Sequence, residues 1–177
     1  MVGSQIEQHF KKEKLNVWIP SKDTGIDLLV TDHQNLRIVS LQVKSGKDFL
    51  PEMAVSLRGP IRAVSWFTIN REKLNASEAD FWVFVLMGLE RRSPDFVVVP
   101  TAEFQSRMRL IHGVEKKMIQ SYLWVTKGEQ CWEARDLEDR KRDERRISEG
   151  SYENPVRDFS KYLNEKGWDA LAMKLSK

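Results

Sequence analysis

Two stretches, Phe81-Trp82-Val83-Phe84-Val85-Leu86 and Phe96-Val97-Val98-Val99, are apolar without interruption and have the length of strands, not helices. A strand exposed to water on one side alternates apolar with polar residues, so unbroken runs of this kind belong in the middle of a sheet that is covered on both faces. Such a sheet needs helices or further strands on each side, and the rest of the chain supplies them. Pro100 stops the second run, and Thr101 is a fitting N-cap. Phe104, Met108 and Ile111 then follow at helical spacing until Gly113. Ser4-Gln5-Ile6-Glu7 has the form of a capping box, with Ile6, Phe10 and Leu15 on one side of the helix it would open. The spacing also predicts a short helix over 50–57, a strand over 63–69 and a helix starting at Asn154-Pro155, with Val156, Phe159, Tyr162 and Leu163 as its apolar stripe before Gly167. Trp168, Leu171 and Leu175 pack back on the body.

The chain has 177 residues, 41% of them hydrophobic and 31% charged, enough for one core and too apolar for a disordered chain. A single domain over 1–177 is expected, with a C-terminal helical segment at 154–175. The stretch 135–149 is nearly all charge with acids and bases balanced, and reads as a solvated helix or an exposed loop. No apolar run reaches the ~20 residues that cross a bilayer, and Met1 to Phe10 lacks the layout of a secretory signal, so a cytoplasmic protein without membrane contact is expected. The single cysteine, Cys131, excludes an intramolecular disulfide and a thiolate cluster within one chain. A net charge of +3 is compatible with a polyanionic partner and decides nothing alone.

The segment that points to chemistry lies between Pro20 and Ser45. Ile26-Asp27-Leu28-Leu29-Val30-Thr31 is strand-like with an acid near its head, Leu36 to Lys44 is strand-like again, and Asp32-His33-Gln34-Asn35 between them has turn composition. Folding about Gln34 and Asn35 makes the indices of facing residues sum to about 69–71, which puts Asp27 opposite Gln42 to Lys44. Gln42 and Lys44 then share one face, while Leu41 and Val43 turn to the core. Cleaving a phosphodiester requires an activated water, relief of charge on the phosphate and help for the leaving oxygen, all of which a hard divalent ion provides. Mg²⁺ takes oxygen ligands and is usually held by one or two carboxylates plus substrate phosphate. Asp27, the side-chain oxygen of Gln42 and the backbone carbonyl of Val43 form such a donor set, and Lys44 stands beside it to orient water or offset phosphate charge.

Gly25-Ile26-Asp27, fourteen intervening residues and then Gln42-Val43-Lys44-Ser45 resemble the PD-(D/E)XK, or restriction-endonuclease-like, nuclease superfamily. The resemblance covers the first fifty residues, with weaker support from the strands between Asp80 and Pro100. It implies an α/β fold with a mixed central β-sheet flanked by helices, and Mg²⁺- or Mn²⁺-dependent endonuclease activity, most often on DNA, with a homodimer where both strands are cut. Within it, Asp27 matches the first acid, Gln42 the second ligand position, Lys44 the lysine, and Glu7 an extra acid that many members place beside the metal. Two positions depart from the pattern: Ile26 stands where proline is common, and Gln42 replaces the commoner glutamate, which removes a negative charge from the site.

Plainer readings accompany each residue. Asp27 and Lys44 also fit a solvated strand face, and Glu7 also fits a helix cap. Gln42 also fits a hydrogen-bonding strand residue. His9, His33 and His112 have no ligand spacing and read as surface residues. Lys11, Lys12, Lys14, Lys22 and Lys47 suit a phosphate-tracking surface or an ordinary solvated one, and Trp66, Trp82, Trp124, Trp132 and Trp168 suit the core. Alternatives in other classes are a nucleic-acid-binding module that has lost its chemistry and a protein-interaction domain.

Overall fold

The structure, a computed structural model, describes residues 1–22, 24–48, 59–87 and 93–176. Among them are five α-helices: α1 Val2–His9, α2 Arg71–Asn75, α3 Thr101–His112, α4 Arg140–Glu149 and α5 Glu165–Ser176. The strands are β1 Asn16–Trp18, β2 Leu28–Thr31, β3 Ile38–Ser45, β4 Lys47–Asp48, β5 Ile61–Asn70, β6 Phe81–Leu86, β7 Asp95–Pro100, β8 Met118–Thr126 and β9 Cys131–Glu133. The helix expected over 50–57 falls outside the described residues, as does the side chain of Lys47. No helix among the described residues is long and apolar enough to cross a membrane.

The protein is a mixed α/β fold with two sheets. The first has the order β1-β2-β3-β6-β7 and is mixed, since β3 and β6 run parallel while the other pairs are antiparallel. The second, β4-β5-β8-β9, is wholly antiparallel and was not foreseen. Strand β6 lies inside the first sheet and explains its own sequence. Phe81, Val83 and Val85 join α1 and α5 through Ile6, Phe10, Trp168 and Leu171, while Trp82, Phe84 and Leu86 join the second sheet and α3 through Phe67, Leu123, Phe104 and Met108. Two buried faces leave no position for a polar residue. Strand β7 is as apolar but ends the sheet instead of lying in its middle. Its outer edge is closed by the segment around Leu163, which bridges Val97, and by Asn164, whose amide N–H donates to the Phe96 carbonyl at 2.7 Å. A covered edge needs no charged residues to stay soluble.

Between β3 and β4 the chain passes from one sheet to the other at Gly46. A Cβ there would stand 2.7 Å from the Ser65 Cβ and 2.8 Å from the Phe67 ring, so the crossing requires glycine.

Four sequence expectations are corrected here. The first helix begins at Val2 with Met1 as its cap, so Ser4 lies within it and the capping box is not used. Pro100, not Thr101, caps α3, and the Thr101 hydroxyl donates to the Ala79 carbonyl. No α-helix starts at Asn154. That stretch holds turns and a 3₁₀ turn at Ser160–Tyr162, because the Arg107 guanidinium takes the carbonyls of Pro155, Val156 and Asp158 and lies on the Phe159 and Tyr162 rings. A long-range arginine thus satisfies carbonyls that a helix would have satisfied internally. The helix comes later, as α5, and Gly167 lies within it instead of ending a helix: a Cβ there would stand 2.2 Å from the Tyr162 carbonyl oxygen, so close packing requires the glycine. The charged stretch 135–149 contains α4, capped by the Asp139 side chain and anchored to the second sheet through Ile147.

Candidate functional site

The hairpin forms in the expected register: Leu28 pairs with Leu41 and Thr31 with Ile38, so paired indices sum to 69. The turn is set by Asp32, whose carboxylate accepts the Leu36 N–H at 2.8 Å, and by Asn35 in the left-handed region at φ 56°. Alternation along β3 then separates the two faces. Val39, Leu41 and Val43 point to the helices, and Gln42 and Lys44 point the other way, beside Trp82 and Phe84 of β6.

Asp27 stands one residue before β2, after a turn in which Gly25 adopts φ 80°. Its N–H donates to the Leu41 carbonyl at 2.8 Å, which continues the ladder by one step. Its Oδ2 accepts the Val43 N–H at 2.6 Å and the Gln42 side-chain amide. The carboxylate is therefore aimed across the end of β3 by a backbone donor, while Oδ1 receives no hydrogen bond among the described residues. Because the N–H and C=O of one strand residue project from the same strand edge, the Val43 carbonyl faces the edge at which Asp27 stands. The Lys44 ammonium lies 5.7 Å from the centre of the Trp82 ring, and Trp82 is itself fixed by a 3.2 Å hydrogen bond from its indole nitrogen to the Ser77 hydroxyl.

These groups open into a cleft of 750 Å³ between the sheets. Asp27, Gln42 and Lys44 form one wall with Trp82 behind them, and Thr68, Asn70 and Met118 from the ends of β5 and β8 form the other with Lys73 from α2. Glu78, exposed in the turn before β6, also lines it. The structure thus brings together Asp27, Gln42, Val43 and Lys44. Glu7 is not brought in: it is exposed on α1, a helix that packs on the opposite face of the first sheet, and it does not line the cleft. Among the described residues no three His, Cys, Asp or Glu side chains gather closely enough to hold an ion. A cation here would depend on amide and backbone oxygens beside Asp27. That donor set is all oxygen, with one formal charge, and suits a hard ion that keeps most of its waters.

Lys73, Ser77 and Glu78 were not singled out from the sequence, because only the fold carries α2 and the turn after it to the hairpin. His112 is not a surface residue as expected. It is buried with its Nε2 3.3 Å from the Glu133 carboxylate, which also accepts from Arg157 at 2.8 Å. Cys131 is fully buried, and burial pushes its thiol well above the ordinary range, away from thiolate chemistry. Trp82, Trp124, Trp132 and Trp168 are buried as expected, and Trp66 is half-buried.

Comparison with protein-family models, with curated proteins and with solved structures gives no match.

Proposed function

We propose that this protein is a divalent-metal-dependent endonuclease that hydrolyses phosphodiester bonds in DNA, on a restriction-endonuclease-like arrangement of its mixed sheet. The observation that carries the reading is the Asp27 carboxylate held at the end of β3 by the Val43 N–H, with the Gln42 amide and the Lys44 ammonium in the same open cleft. Asp27 is the charged ligand for Mg²⁺ or Mn²⁺, Gln42 turns its amide oxygen inward, and the Val43 carbonyl faces the same edge. When bound, the cation relieves charge on the phosphate and makes an attacking water more acidic. Lys44, whose ammonium lies over the Trp82 ring, orients that water and the phosphate oxygens. Lys73 on the far wall is in no ion pair among the described residues and meets a neighbouring phosphate.

A second reading is favoured by one feature: the Gln42 amide donates to Asp27, so the pair is satisfied without a cation, as in a nucleic-acid-binding module with no chemistry. Plasmid nicking with Mg²⁺ or Mn²⁺ separates the two. The nuclease reading expects nicking that Asp27→Ala abolishes and Lys44→Ala reduces by about 10²-fold or more, the usual scale for a positioned proton-transfer or charge-stabilising group. No nicking with either metal, or nicking that survives both substitutions, leaves the binding module.

A further inference from the structure

The sheet face that carries Asp27, Gln42 and Lys44 does not end at the cleft. Across β2 and β1 the same alternation places Leu29, Thr31 and Trp18 on that face, and Ile38 follows Gln42 and Ser40 on β3. Beyond the second sheet this surface emerges into solvent. Trp18 is 51% exposed and Ile38 58%. The indole is nonetheless fixed: its Nε1 donates to the Thr31 hydroxyl at 3.1 Å, and that hydroxyl donates to the Asn35 side chain at 2.6 Å, which also accepts from Asn16 at 3.1 Å. Its hydrogen-bonding edge is satisfied, which leaves the ring surface as what it offers.

An exposed aromatic held in one orientation loses little entropy when something stacks on it. The charge beside it in the sequence indicates what that is. Residues 11–22 contain four lysines, Lys11, Lys12, Lys14 and Lys22, against one acid, Glu13. All four are exposed, and none is in an ion pair among the described residues. A basic stretch interleaved with a rigid aromatic suits a nucleic acid whose bases are unpaired, since a base inside a duplex has no free face to stack. The site lies on the same face: at ~3.4 Å per residue along a strand and ~4.8 Å between strands, the Trp18 and Asp27 backbones are about 8 Å apart, and the indole leans towards Thr31, four residues or about 14 Å along β2 from Asp27.

Resting on the nuclease reading of the cleft, we infer that Trp18 is a stacking platform for an unpaired base of a single-stranded DNA segment a few nucleotides from the scissile phosphate. The substrate class of the site is then DNA with single-stranded character, such as a flap, a bubble or a frayed end, and not uniform duplex.

The test is binding without metal. Labelled oligothymidylate and a blunt duplex of equal length are titrated in EDTA, at low salt, with the wild type, Trp18→Ala, Trp18→Gln and Trp18→Phe. Trp18→Gln removes the ring while keeping a donor towards Thr31, which guards against a folding defect in Trp18→Ala. Loss of one stacked base weakens oligothymidylate binding by about 5- to 150-fold in both ring-less variants. Trp18→Phe retains most of the affinity, and duplex binding stays unchanged. Ring-less variants that bind oligothymidylate like the wild type overturn the inference, as does an equal loss on duplex or a wild type that does not bind oligothymidylate. A wild-type dimer that Trp18→Gln turns into monomers, with DNA affinity intact, overturns it in favour of a second copy of the chain on this face. Metal is absent throughout, so failure here is distinct from failure of the nicking assay.

Discussion

Removing the Asp95 carboxylate tests what ties the two sheets together. Arg62 on β5 and Asp95 on β7 form a two-pronged ion pair between the sheets, with Nη2 to Oδ1 at 2.7 Å and Nε to Oδ2 at 3.1 Å, and their side chains are only 8% and 10% exposed. Asn164 adds a 2.8 Å hydrogen bond to Oδ1. Asp95→Ala leaves a buried guanidinium without its main partner, a change that costs ~3–5 kcal/mol in comparable sites. Glu129 remains, at 3.4 Å from Nη1, but it is 70% exposed and its hold is weakened by water, so the loss stays near ~3 kcal/mol or above. For a chain of this size each kcal/mol moves the midpoint by ~2–4 °C, which predicts a fall of roughly 6–20 °C. The double replacement Arg62→Leu with Asp95→Leu removes both charges at once and is expected to cost much less than the sum of the singles. Thermal and urea unfolding followed by circular dichroism measure all three variants. A loss under ~1 kcal/mol for Asp95→Ala, or a double variant as unstable as the summed singles, refutes the reasoning that an unpaired buried charge dominates.

Two further predictions concern charge. Gln42→Glu restores a second carboxylate beside Asp27, so nicking reaches half its maximum at a lower Mg²⁺ concentration while the metal-free protein loses stability from like-charge repulsion; a Mg²⁺ titration in which the midpoint rises or stays put contradicts the ligand role. Asp80 lies below its ordinary value of 3.8: burial pushes it up, but the Lys174 ammonium and the Ser40 N–H and O–H, the last two at 2.8 and 3.0 Å, outweigh that and hold it down. The stability this contributes is present in full above the unfolded value and is lost as pH falls through the folded one. The stability gap between the wild type and Asp80→Asn is therefore expected to be constant at neutral pH and to close only in acid, as followed by urea unfolding across pH; a gap that closes at neutral pH contradicts it.

What the sequence determined by itself is local. The period-two alternation of β3, the turn residues Asp32 to Asn35 and the acid before Leu28 set the hairpin, its register and the shared face of Gln42 and Lys44, because adjacent strands with a tight turn between them leave few other pairings. The unbroken apolar runs likewise determined that β6 and β7 are buried on both faces. Which strand lies inside and which at the end was decided by tertiary structure, since the covering of β7 comes from Leu163 and Asn164, far along the chain. So were the second sheet, the cleft and Lys73 across from Asp27, the absence of Glu7 from the cleft, and the replacement of an expected helix at 154 by a stretch pinned to Arg107. Each of these depends on how segments remote in sequence come together, where a strand edge or a long polar side chain meets its partner only after the sheets have packed. Periodicity records which residues leave water, and it carries no record of what they meet there.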